Sequence, residues 1–127
     1  MAPAPNTVAI VDDDESARRA LGRMLNGVGF ASQAFASADA FVADAGRENF
    51  SCLLLDLQLE GMSGLELVRE LARRGSQVPI IIVTAHSEPE LRAQLQQYGC
   101  VGFFHKTDPG AMIIDVLRRV TLGKLPN

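Results

Sequence analysis

The sequence predicts an α/β fold, a doubly wound parallel sheet with helices on both faces. Short apolar runs recur along the chain, and each is followed by a segment with helical spacing. Strict βα alternation of this kind gives a parallel sheet covered on two sides. The runs are also nearly free of polar residues, as in Leu53-Leu54-Leu55 and Ile80-Ile81-Ile82-Val83. That is the pattern of strands buried on both faces rather than one. Finally, the runs stop abruptly at polar side chains, which places those side chains at one edge of the sheet.

From the N-terminus, Thr7 to Val11 is the first strand, and Glu15 to about Val28 the first helix. Ala17, Ala20, Leu21, Met24, Leu25 and Val28 recur at helical spacing, with Arg18, Arg19 and Arg23 on the wet side. Phe30 to Phe35 is a more polar strand, suited to a sheet edge. Ser37 can cap a second helix through Phe41 and Val42, which Gly46 stops. Cys52 to Leu55 is the third strand and ends at Asp56.

Leu65, Leu67, Val68 and Leu71 mark the third helix, which closes on Arg73, Arg74 and Gly75. Pro79 to Val83 is the fourth strand. Glu88 to Tyr98 is a fourth helix with a thin apolar stripe of Leu91, Leu95 and Tyr98. Val101 to Phe104 is the fifth strand, running into His105 and Lys106. Pro109 suits the first turn of the last helix, whose expected core face is Met112, Ile113, Val116, Leu117 and Val120.

The 127 residues suit one domain with a real core, with residues 1–6 as an extended lead-in and 123–127 as a tail. A net charge of −3 offers no electrostatic footprint for nucleic acid or an anionic membrane. No apolar run approaches the length of a membrane span, and no signal-peptide pattern opens the sequence. Cys52 and Cys100 lack metal-ligand spacing. In the flavodoxin-like strand order 2-1-3-4-5 a whole strand separates theirs, about 9–10 Å, too far for a disulfide. A reducing cytoplasm is the expected compartment.

In this topology Asp12, Asp13, Asp56, Thr84 and Lys106 face one crevice at the carboxyl ends of the strands, where open α/β sheets bind ligands. Crowded carboxylates repel, which raises the pKa of some or recruits a cation. Hard oxygen ligands left partly open to water suit Mg²⁺. A lysine and a threonine hydroxyl add a positive charge and a donor for oxygens of a group attached to Asp56. Metal, cation and donor around one carboxylate form the kit for phosphoryl transfer to that carboxylate. Asp14 and Glu15 read as an acidic helix start, and His86 and His105 as loop and surface residues.

Four segments carry a resemblance: Val11-Asp12-Asp13-Asp14-Glu15-Ser16, Leu55 to Gly64, Val83-Thr84-Ala85, and Phe103-Phe104-His105-Lys106. Together they resemble the receiver domain of two-component response regulators, from about Thr7 to about Leu122, and most of all receivers of the FixJ type. The resemblance implies a five-stranded flavodoxin-like sheet in the order 2-1-3-4-5 with five helices. It implies that Asp56 accepts phosphate from a histidine kinase. It gives Mg²⁺ to Asp12, Asp13, Asp56 and the backbone carbonyl of Gln58. Thr84 and Lys106 would contact the phosphoryl group, Phe103 would be the rotating switch aromatic, and Ala85 the small residue that lets Thr84 close. The implied partners are a sensor histidine kinase, an output domain such as a DNA-binding one, and a second copy joined through the face of the fourth helix, fifth strand and fifth helix. Any catalysis is confined to the domain's own phosphorylation and dephosphorylation.

Two positions depart from the pattern: Glu60 and Thr107 stand where the family carries proline. A cis bond before threonine costs about 3–4 kcal/mol, against roughly 0.5–1 before proline. The Lys106-Thr107 bond is therefore expected to be trans, or its loop mobile. A haloacid-dehalogenase-type phosphatase would want a second carboxylate at position 58, which is Gln. A flavodoxin-type electron carrier would want Ser, Thr and Gly after the first strand, where this chain has acids that repel phosphate. A receiver degenerated to docking, or one serving only as a phosphate sink, is the remaining alternative.

Overall fold

The computed structural model describes residues 6–85 and 89–122. Most of the expected lead-in, the expected tail, His86 and Glu88 lie outside the described residues. Five parallel strands, β1 (Thr7–Val11), β2 (Ala31–Phe35), β3 (Cys52–Leu55), β4 (Ile80–Thr84) and β5 (Gly102–His105), form one sheet in the order β2-β1-β3-β4-β5. Register brings the polar strand ends together. Val11 lies opposite Leu55, so Asp12 and Asp56 leave their strands side by side; Thr84 lies opposite His105, so Lys106 emerges one residue beyond.

Period-two alternation divides the core. Ala9, Val11, Leu53, Leu55, Ile80 and Ile82 face one layer, with Phe35, Phe41 and Phe50 edge-on or tilted at 5.3–6.0 Å between ring centres. Helices α2 (Ala38–Ala43), α3 (Gly64–Arg73) and α4 (Pro89–Gln96) cover it. Val8, Ile10, Cys52, Leu54, Ile81 and Val83 face the other layer, under α1 (Glu15–Gly27) and α5 (Gly110–Leu122). Asp14 caps α1 by accepting from the Ser16 amide, and Ser37 caps α2 through the Ala40 amide. Ser63 and Glu66 form a reciprocal capping box on α3. No helix among the described residues is long and apolar enough to cross a membrane.

Several expectations need correction. A 3₁₀ turn at Arg47–Asn49 has no counterpart in the sequence reading. Helix α4 ends at Gln96, leaving Tyr98 beyond it and 39% exposed. On α5, Met112 is 48% exposed and Ile114 is buried. Residues 111–114 are all apolar, so periodicity alone does not fix which one turns inward. Val28 is the exposed C-cap residue of α1 rather than core. Cys52 is buried, and burial pushes the half-buried Cys100 thiol up to about 11. Strand β4 does lie between the strand of Cys52 and β5, the strand Cys100 precedes, and the two cysteines form no disulfide.

Candidate functional site

The sheet ladder continues one residue past two strands. The Asp56 amide donates to the Val11 carbonyl at 3.0 Å and the Asp12 amide to the Phe35 carbonyl at 3.3 Å. Both carboxylates are thus held by backbone at the edge, and both are nearly covered, at 2% exposure for Asp12 and 5% for Asp56. Asp13 is exposed. One carboxylate oxygen from each of the three acids lies within 4.8 Å of the others. The Lys106 amine sits between two of them, 2.9 Å from Asp12 Oδ2 and 3.1 Å from Asp56 Oδ2. The remaining oxygens take backbone donors: Asp14 N–H reaches Asp12 Oδ1 at 2.9 Å, and Gln58 N–H reaches Asp56 Oδ1 at 3.2 Å.

Burial raises the Asp12 pKa above its usual value, and the charge on Asp56 adds to this; the Asp14 amide and Lys106 only partly offset it. Lys106 moves the other way in charge preference. Burial lowers its pKa, but hydrogen bonds to Asp12 and Asp56, with their two charges, raise it overall. The directions are consistent, because the lysine gains from two anions while Asp12 meets a like charge as well as a cation. Without a further cation the pocket holds three acids against one ammonium.

Gly64 explains why the loop after Asp56 can fold this tightly. A Cβ there would lie 2.6 Å from Leu57 Cα and 2.7 Å from the Asp56 carbonyl oxygen. The start of α3 therefore rests directly on the backbone of the acceptor candidate, with the Gly64 amide donating to the Leu57 carbonyl at 3.2 Å.

Thr84 is buried at the end of β4, and its carbonyl accepts from the Lys106 amide at 2.9 Å. Ala85 is exposed beside it. Phe103 is half-buried, with the Arg92 guanidinium 5.0 Å above its ring centre. The Lys106-Thr107 bond is trans. The lysine nonetheless reaches both acids, so a trans bond here does not carry its amine away. His105 is the last residue of β5 and half-buried, with its ring bonded to Thr107, rather than a loop residue. Periodicity puts Arg18 on the wet face of its helix, yet its guanidinium donates to the Asp12 carbonyl at 2.8 Å. Its position six residues after Asp12, just inside the helix, is the only hint in the sequence.

The family model for the response regulator receiver domain matches residues 8–118. The chain belongs to this family. Among curated relatives, the response regulator protein TmoT of Ectopseudomonas mendocina is 36% identical over 101 residues, covering 80% of this chain and 46% of that protein. The transcriptional regulatory protein FixJ of Rhizobium meliloti is 36% identical over 115 residues, covering 91% of this chain and 56% of that protein. The receiver thus spans about half the length of these relatives. Among solved structures, the crystal structure of FixJ-N superposes with a TM-score of 0.84 at 33% identity, covering 98% of this chain and all (100%) of that one. Response regulator StyR gives 0.85 at 31% identity, covering 94% and 60%. Both the strand order and the likeness to FixJ receivers inferred from the sequence hold.

Proposed function

We propose that this receiver is a phosphorylation-dependent switch in a two-component pathway, with Asp56 as the residue that takes the phosphoryl group from a sensor histidine kinase. One observation carries the choice of Asp56 over Asp12. Strand β3 is central, so only its terminal acid has the acids of β1 on one side and Thr84 of β4 on the other, with the amine of Lys106 in contact. The two acids do not differ in their other bonds, since each has one oxygen on a backbone amide and the other on Lys106, so the choice rests on position in the sheet.

The donor set fits a small hard cation: three carboxylates within 4.8 Å of one another, one of them exposed. Asp12, Asp13, Asp56 and the backbone carbonyl of Gln58 would hold Mg²⁺. When bound it neutralises charge on the acids and on the transferring group. An Asp56 oxygen attacks phosphorus as the bond to the donor imidazole nitrogen breaks, and that nitrogen keeps the electron pair. Lys106 then exchanges its bond to Asp56 for one to a phosphoryl oxygen, and the Thr84 hydroxyl supplies a second contact. Thr84 moving toward the group opens space into which Phe103 turns.

That motion would change the surface formed by α4, β5 and α5, on which Val101 and Met112 are already exposed. A second copy, or an output domain such as a DNA-binding one, would read it in a cytoplasmic setting. Catalysis by the domain would be limited to its own phosphorylation and dephosphorylation. The test is mass spectrometry after incubation with acetyl phosphate and Mg²⁺. One acid-stable, base-labile phosphoryl group is expected, absent from Asp56→Asn while that variant melts as a folded protein. Labelling that survives the substitution refutes the assignment.

A further inference from the structure

A compact turn surrounds the lysine. His105 N–H donates to Asp108 Oδ2 at 2.8 Å, and Asp108 N–H donates back to the His105 carbonyl at 2.9 Å. Thr107 N–H donates to His105 Nδ1 at 3.2 Å, and the Thr107 hydroxyl lies 2.7 Å from the same nitrogen. Lys106 is the residue enclosed, with its own amide tied to the Thr84 carbonyl at 2.9 Å. The backbone on both sides of the lysine is therefore fixed, and its amine ends between Asp12 and Asp56.

We propose that His105 and Thr107 are positioning residues for phosphoryl uptake, acting through Lys106: the imidazole Nδ1 accepts the Thr107 amide and so holds the turn that aims the lysine at Asp56. The donor is a backbone N–H, so the device needs a residue other than proline at position 107, and this chain has threonine there. It also needs Nδ1 free of a proton, which places the ring hydrogen on Nε2 in the neutral tautomer. Asp108 closes the same turn with its carboxylate, which accepts from the His105 N–H, and with its own N–H, whereas Thr107 is held by its amide and hydroxyl on the His105 ring. Neither His105 nor Thr107 touches the transferring group.

The inference rests on Asp56 being the acceptor, and its test separates the two. The first arm is the rate of uptake from acetyl phosphate at saturating Mg²⁺. Thr107→Pro should slow it roughly three- to tenfold, the range expected for one lost hydrogen bond. Mg²⁺ affinity should stay within about twofold of wild type, because the acids are untouched. Thr107→Val keeps the amide and should stay near wild type. His105→Ala should match the proline variant, whereas His105→Asn should recover the rate, because an Asn side chain accepts from the amide two residues on. The double variant His105→Ala/Thr107→Pro should be no slower than either single one.

The second arm needs no phosphodonor. The carboxyl carbon resonance of Asp56 should shift in Thr107→Pro and His105→Ala, and stay in place in Thr107→Val and His105→Asn. Wild-type-like or faster uptake by Thr107→Pro, or an unmoved Asp56 resonance in it, overturns the proposal. So does His105→Asn behaving like His105→Ala. If wild type took up no phosphoryl group, Asp56 would fall as acceptor and the resonance would still decide the turn. If Thr107→Pro failed to fold, the two His105 variants decide it.

Discussion

Helices α3 and α4 each follow a strand that ends in a site residue, Asp56 before one and Thr84 before the other, yet they are held very differently. Helix α3 buries Gly64, Leu67, Val68 and Leu71, and a reciprocal capping box secures its first turn. Its start touches the Asp56 backbone so closely that no side chain fits at position 64. Helix α4 is shorter and fully buries only Leu95, with Leu91 partly covered. Gln94, Gln96 and Gln97 are exposed on and just beyond it. The contrast has a mechanical reading. The Asp56 side of the crevice is firmly held, which would keep that carboxylate in place for the proposed reaction. The far side has few buried contacts, so it can shift at low cost.

The largest expected effect tests this contrast directly. Leu67→Ala should lower stability by about 2–5 kcal/mol, as deletion of a fully buried leucine does. Leu91→Ala, on the partly covered face of α4, should cost less than about 1.5 kcal/mol. Urea unfolding of both variants measures the difference. Similar losses would mean that α4 is as firmly held as α3, and the division between fixed and movable sides would fail. Gly64→Ala sharpens the same point, since α3 must move away from Asp56 to fit a methyl group. It should slow phosphoryl uptake as well as destabilise, whereas Gln94→Ala on α4 should do neither.

Legibility in the sequence divides along the same line. The ends of β1 and β3 and the residues gathered at the edge are readable, because an apolar run ending at Asp12 or Asp56 leaves little choice of boundary. The amphipathic surfaces are less so. Met112 and Ile114 exchange roles because apolar residues surround them on α5, and packing rather than periodicity picks the stripe. Arg18, His105 and Thr107 offer no pattern to read. Their contacts are hydrogen bonds between backbone and side chain two to six residues apart, which hydrophobic periodicity does not mark. Positions of charge at the edge come from sequence; the devices that hold them come from the fold.

A middle-sized effect concerns charge on the fixed side. Asp12 has a raised pKa, so in the folded state its ionised form is disfavoured relative to the unfolded chain. Its cost is absent well below 3.8, grows as pH rises from there through the folded value, and is complete above it. Asp12→Asn keeps an acceptor for the Asp14 amide and leaves Lys106 its bond to Asp56. Without Mg²⁺ this variant should be more stable than wild type near neutral pH, on the order of 1 kcal/mol. The gain should vanish as pH falls below 3.8. Thermal melts across that range measure it. A variant less stable than wild type at neutral pH would show that Asp12 strengthens the rigid side through Lys106, rather than straining it for a cation.

The smallest expected effect lies on the movable side, where Arg92 of α4 stands over the ring of Phe103 on β5 at 5.0 Å. Such a contact at an exposed arginine is worth about 0.5–1 kcal/mol. That is roughly a two- to fivefold bias in a two-state equilibrium. The ring is half-buried and packs partly against the core layer that includes Leu91 and Leu95. With the guanidinium above it, the ring's present position is favoured and α4 is tied to β5. Arg92→Ala removes the tie without opening a cavity, because the arginine is exposed. The inward position of Phe103 should then be populated more often before any phosphoryl group arrives. Self-association or partner binding without phosphodonor should rise by the same two- to fivefold. Amide exchange should quicken in α4 and stay unchanged in α3. Arg92→Lys keeps a cation and should fall between the two. If Arg92→Ala left α4 exchange and phosphate-free association unaltered, the ring would be held by its apolar packing alone. The low cost of moving α4 would then owe nothing to this contact.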